Sequence, residues 1–91
     1  MSDLEQRRRR ASYRAHYRGT KEMDWLVGKY ADARLAAMTA AELTRFETLL
    51  DVSDVDLNSW ILDPGQVADR DLGPLIEDIH RFHGLADQGP Q

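Results

Sequence analysis

At 91 residues the chain has room for one small domain and not for two. Apolar residues make up 42% and charged residues 31%, the balance of a globular rather than a disordered chain. The absence of cysteine rules out a disulfide framework, thiolate chemistry and a cysteine-based zinc site. No apolar run approaches the roughly 20 residues of a membrane span, and no glycine-rich phosphate loop occurs.

The net charge of −4 hides an asymmetry. Through Lys21 the chain carries seven basic residues against Asp3 and Glu5; from Glu22 onward it carries five basic against fourteen acidic ones. A basic arm on an acidic body has three readings: it folds back on the body, binds an acidic protein, or binds nucleic acid. The acidic remainder would repel phosphates, so nucleic acid ranks last.

In chain order, Met1 to Gln6 is polar and reads as a flexible terminus. Arg7-Arg8-Arg9-Arg10 opens the arm, and Ala11 to Tyr17 has the composition of a helix, with Tyr13 and Tyr17 one turn apart on one side. Asp3 and Glu5 argue against a transit peptide, and no apolar segment suits a secretory signal. A bacterial cytoplasm is expected, with a mitochondrial matrix as the alternative.

A second helix is expected from about Thr20 to Ala37, with Gly19 or Thr20 as its N-cap. With Gly19 as cap, Glu22 falls at the third helical position, where its carboxylate can reach back to free N–H groups. Met23, Leu26, Val27, Tyr30, Ala33 and Ala37 form its apolar stripe. Trp25 points nearly opposite, and a second helix packed there is favoured over a partner surface.

Thr39-Ala40-Ala41-Glu42 is a capping box that opens a third helix with the stripe Leu43, Phe46, Leu49 and Leu50. Ser53 caps a short fourth helix, with Asp54 and Asp56 in its first turn and Leu57, Trp60 and Ile61 on its apolar side. Asp63-Pro64-Gly65 ends it. The last helix carries Leu72, Leu75, Ile76, Ile79, Phe82 and His83, with Gly73-Pro74 near its start and Gly84 at its end. The tail, 85–91, reads as flexible. With no strand-like alternation, the pattern is a small all-α domain, residues 7–84.

No catalytic constellation stands out. His80 and His83 are three apart, a spacing that can hold a metal, but no third ligand is evident; a surface histidine and a helix-end histidine are the favoured reading. Asp54-Val55-Asp56 with Asn58 resembles the start of a calcium loop. That loop fails, because its sixth and twelfth positions hold Ser59 and Gly65 in place of glycine and glutamate.

Arg18-Gly19-x-x-Glu22 remains. It reads either as a turn with Arg18 solvated at the end of the arm, or as a rigid knob whose Arg18 offers a planar fork to a carboxylate or phosphate. Spacing alone favours the turn.

The same residues resemble a known family. Arg18-Gly19-Thr20-Lys21-Glu22-Met23-Asp24, followed by Leu26, Gly28 and Tyr30, is similar to the RGxxE motif of the succinate dehydrogenase flavinylation factors, also called succinate dehydrogenase assembly factor 2. Phe46-Glu47-Thr48-Leu49-Leu50-Asp51, then Asp54, Asp56-Leu57 and Trp60, are similar to that family's second block. The resemblance runs from about Arg8 to Phe82. Thr20-Lys21, Trp25 and Asn58 depart from the residues common there.

The resemblance implies a five-helix bundle that is not an enzyme. Such factors bind the flavoprotein subunit of succinate dehydrogenase, and in bacteria often that of fumarate reductase. They promote covalent attachment of FAD to a client histidine, the client supplying the chemistry. The implied partner-binding residues are Arg18, Gly19, Glu22, Met23, Asp24, Asp54 and Asp56, with Glu22 fixing Arg18 or pairing with a client base. No tightly bound cofactor, metal, nucleic acid or membrane insertion is expected, and the free factor is expected to be a monomer. The competing class is an acidic helical adaptor, antitoxin-like, in which the arginine arm carries the binding.

Overall fold

Five α-helices and two single 3₁₀ turns account for the regular structure of the computed structural model, which describes residues 3–84. No strand occurs among the described residues, so the fold is all-α as expected. The expected tail, 85–91, and the first two residues lie outside the described residues.

Helix α1 spans Asp3–His16 and so begins well before Ala11. Asp3 and Glu5 in its first turn and Arg14 and His16 in its last suit the helix dipole. Its buried residues are Ala11 and Ala15, one turn apart. Small side chains at this spacing let α1 lie close on α2, where Gly28 completes the fit: a Cβ there would stand 3.0 Å from Nδ1 of His16. The His16 ring is held by Asp32, with Nε2 2.8 Å from Oδ1.

The arm folds back on the body, the first of its three readings. Arg7 donates to both carboxylate oxygens of Glu47, at 2.6 and 3.2 Å, and to Thr44 at 2.9 Å. Arg8 donates to the Met38 carbonyl and Arg14 to Asp51. The hydrogen bond from Arg7 holds the Glu47 carboxyl below its usual range, and the same bond raises Arg7.

Helix α2, Lys21–Arg34, is capped by Thr20, whose hydroxyl accepts from the Met23 N–H at 3.2 Å. Thr20 rather than Gly19 is therefore the N-cap, and Glu22 moves to the second helical position without reaching back. Met23, Leu26, Val27 and Tyr30 are buried as the stripe required, but Ala33 and Ala37 are exposed. Ala31 and Leu35 are buried in their place. They continue the four-residue row of Val27, the side α1 covers, and the chain tightens after Arg34 into the 3₁₀ turn Leu35–Ala37.

Helix α3, Ala40–Leu50, opens on the complete Thr39–Glu42 capping box, and all four stripe residues are buried. Ser53 caps α4, Asp54–Leu62, accepting from the Asp56 N–H. The 3₁₀ turn Pro64–Gln66 follows. The Asp69 carboxylate accepts from the N–H groups of Asp71 and Leu72 just ahead of α5, Gly73–Phe82. Gly84 ends the turn after α5 with φ +69°. Phe46, Leu43, Leu49, Leu57, Ile61, Ile76, Ile79 and Val27 form the fully buried centre.

Tyr30 links α2 to α5. Its ring meets Phe82 edge-on at 5.5 Å, and its hydroxyl donates to Asp78 at 2.5 Å. Burial first, and then the Asp78 carboxylate, push its phenol well above the ordinary value of 10.0. A folded pKa above the unfolded one gives stability that is complete below pH 10 and declines as pH rises beyond it. Tyr30→Phe should therefore cost about 2 kcal/mol at pH 7, the value of a hydrogen bond to a charged group. The gap from wild type should narrow above about pH 10 in urea unfolding; a gap independent of pH would contradict this account.

Candidate functional site

The turn between α1 and α2 is built around an arginine that points inward. The Arg18 side chain is only 7% exposed, and its whole fork is engaged. Nε donates to Asp54 Oδ1 at 2.8 Å, one terminal nitrogen to the Leu50 carbonyl at 2.7 Å, and the other to the Val52 carbonyl at 2.6 Å. Leu50 is the last residue of α3 and Asp54 the first of α4. The guanidinium thus sits at the negative end of one helix dipole, and its carboxylate partner at the positive end of the next. One side chain ties the turn to the α3–α4 corner.

The backbone around Arg18 is fixed from the other side. Its N–H donates to Asp24 Oδ1, a carboxylate reaching back from α2. Gly19 then takes φ +122°, a conformation open to glycine and strained for other residues. A Cβ on Gly19 would lie 3.6 Å from Asp54 Oδ2, an ordinary contact, so the glycine is required by its backbone angle rather than by crowding.

The predicted site residues separate into two groups. Arg18 and Met23 face inward, Met23 at 3% exposure within the core. Asp24 is half-buried in its bond to Arg18. Gly19, Glu22 and Asp56 are exposed, and Asp54 keeps 29% of its side chain in solvent. The Glu22 and Asp56 carboxylates hold no partner among the described residues. Arg18 and Asp54 meet directly. Glu22 does not fix Arg18; Asp54 does, because the arginine turns toward α4 and away from the first turn of α2.

The remaining candidates take structural roles. His80 is half-buried and donates through Nδ1 to the Ile61 carbonyl at 2.6 Å, satisfying one of the last carbonyls of α4; it is not a surface histidine. His83 donates through Nε2 to the Leu26 carbonyl at 2.7 Å, and its ring stacks on Trp25 with centroids 4.6 Å apart. The end of α5 thus covers one face of Trp25 and leaves it 52% exposed. Among the described residues no group of three or more histidine and carboxylate side chains is placed to hold a metal ion. No helix among them is long and apolar enough to cross a membrane.

Residues 9–83, which include this whole corner, match the family described as Flavinator of succinate dehydrogenase. The chain belongs to this family. It is 39% identical over 80 residues to the FAD assembly factor SdhE of Acetobacter pasteurianus, a match covering 84% of this chain and 73% of that protein. Two proteins named succinate dehydrogenase assembly factor 2, mitochondrial, are also similar. That of Dictyostelium discoideum is 30% identical over 77% of this chain and half of its own length. That of Yarrowia lipolytica is 38% identical over 64% of this chain and 40% of its own length. No solved structure matches significantly.

For this member of the flavinator family, the motif residues fall into framework and surface. Sequence reading missed the partners of Arg18, since two of the three are main-chain carbonyls that no residue type announces. Asp54 carried the only signal: an acid opening α4 in a chain whose RG arginine needed a partner.

Proposed function

We propose that the chain is an assembly factor for the flavoprotein subunit of succinate dehydrogenase, with the corresponding fumarate reductase subunit as a second client. It binds the client and promotes covalent attachment of FAD to a client histidine. The factor is not the catalyst and holds no flavin tightly. Bond formation belongs to the client and its cofactor, and the factor raises its rate by holding the client in a geometry close to reaction. It acts as a monomer in the bacterial cytoplasm, with a mitochondrial matrix as the alternative, and it neither binds nucleic acid nor enters a membrane.

One observation carries this reading: the family motif forms a turn locked from beneath by Arg18, with Gly19, Glu22 and Asp56 presented outward. A surface held by internal bonds loses little freedom on binding, which favours affinity. Glu22 and Asp56 offer unpaired carboxylates to basic groups of the client. The adaptor reading loses support because Arg7, Arg8 and Arg14 are engaged within the fold.

The test is covalent flavin fluorescence of the client on a denaturing gel, from a strain lacking this protein and carrying rescue variants. Glu22→Gln/Asp56→Asn should stay folded with only a modest fall in melting temperature, since both groups are exposed and unpaired and lose only their favourable place in a helix's first turn. It should reduce covalent flavin by at least about tenfold, the cost of two lost charge contacts. Full rescue by this variant would remove the two acids from the interface. Undiminished fluorescence in the deletion strain would overturn the proposed function itself.

A further inference from the structure

Tyr13 of α1 and Tyr17, just beyond its end, have no part in the core. Tyr13 and Tyr17 are 66% and 70% exposed, yet their rings pack on each other with centroids 4.6 Å apart. The inward stripe of α1 accounts for Arg7, Ala11 and Ala15, and Arg18 continues it beyond the helix end. Arg10, Tyr13 and Tyr17 form a second stripe at helix spacing on the flank beside it. Arg9 and Arg10 hold no hydrogen bond or ion pair among the described residues.

Beside the pair lies a cleft of about 280 Å³ lined by Tyr13, Arg14, Tyr17, Arg18 and Leu50. It is near the lower limit for small-molecule sites and of a size for one side chain. Arg14 on its wall is ion-paired to Asp51, the two side chains being 44% and 72% exposed. An exposed pair of this kind is worth little to stability, so a partner's carboxylate can take the place of Asp51. Tyr17 adjoins Arg18 and Gly19, which makes the patch continuous with the surface proposed above.

We infer that the Tyr13–Tyr17 pair is a second anchor for the client flavoprotein. It receives a client loop that places one apolar or proline side chain in the cleft and acidic neighbours against Arg10 and Arg14. This rests on the proposed function. Tyrosine gives large contact area at low entropic cost and is enriched among residues that dominate binding. The free positive charge of Arg9 and Arg10 selects an acidic partner. Aromatics among arginines can also hold single-stranded nucleic acid. Here Arg7, Arg8 and Arg18 are spent on partners within the fold, which leaves too few cations in a row to follow a phosphate backbone, so a protein loop with a few acidic residues fits better.

The test is titration of purified client flavoprotein with the full chain. Tyr13→Ala/Tyr17→Ala should bind about 30-fold more weakly than wild type, the effect of losing a dominant aromatic anchor. Its melting temperature should be unchanged, and Tyr13→Phe/Tyr17→Phe should retain most of the affinity. Leu62→Ala, at the exposed far end of α4 from Asp56, should bind like wild type. Equal binding by wild type and the tyrosine-to-alanine variant would overturn the inference and leave the proposed function standing. Failure of wild type to bind the client would overturn both. Tyrosine-dependent binding of a single-stranded oligonucleotide at comparable strength would also overturn the inference.

Discussion

Arg18→Ala is expected to destabilise the protein by about 3 kcal/mol, the low end for removing one partner of a buried pair because Asp54 keeps some solvent contact. In a domain of this size that lowers the melting temperature by roughly 12–24 °C. The loss has two parts. Asp54 is left as a part-buried carboxylate without its cation, and the carbonyls of Leu50 and Val52 lose their donors. Arg18→Lys should recover little, because a single ammonium cannot span acceptors placed for a planar fork. Asp54→Asn should cost less than Arg18→Ala, since the guanidinium keeps both carbonyls. Thermal unfolding of the three variants checks this ranking. An Arg18→Ala protein that melts like wild type would mean that the arginine does not hold the corner.

Gly19 gives the second large effect, and it divides into two measurements. Gly19→Ala should cost about 1–3 kcal/mol, the strain of a side chain in a sparsely populated backbone region. Asparagine should not rescue it. Its tolerance is for the left-handed helical well near φ +57°, and Gly19 lies far beyond that at +122°. Gly84, at +69°, is the contrast: Gly84→Asn should be nearly neutral. Gly19→Arg adds a long charged side chain to the exposed turn as well as strain. At a temperature where that variant is still folded, it should fail to support client flavinylation, whereas Gly19→Ala should retain part of it. Equal activity of the two folded variants would show that the surface at Gly19 does not meet the client.

These two residues also show how far the sequence could be read. Local signals were reliable where a residue type has one dominant use. The Thr39–Glu42 capping box, the Ser53 cap, the Asp63-Pro64-Gly65 stop and the Gly84 terminator all took the expected places. The stripes of α3 and the start of α2 were legible because Leu43, Phe46, Met23 and Leu26 are large apolar residues at helical spacing, and each is buried. The stripe failed at Ala33 and Ala37, where the helix gives way to a 3₁₀ turn and alanine carries too little hydrophobic weight to mark a face. The start of α1 was hidden for the same reason: its buried contacts are Ala11 and Ala15 within a run of arginines.

The site was legible as a location and less so as a mechanism. The RGxxE pattern marked the turn, and Asp54 and Asp56 marked the corner it meets. The direction of Arg18 depends on carbonyls at Leu50 and Val52, 32 and 34 residues away, which composition cannot indicate. A charged residue in a motif invites a reading as a contact for a partner. Here its surroundings make it framework, and the neighbouring acids are what the framework presents. The same separation explains the two tyrosines, which lie outside the buried core and stand beside the fold's most constrained turn.

The most direct measurement is covalent flavin formation in a purified system. Apo client flavoprotein is incubated with FAD, with and without the full chain, and flavin fluorescence is read after denaturing electrophoresis. The account predicts that covalent flavin accumulates faster with the wild-type chain and that folded Gly19→Arg gives the rate of the client alone. Identical rates with and without the wild-type chain would contradict it.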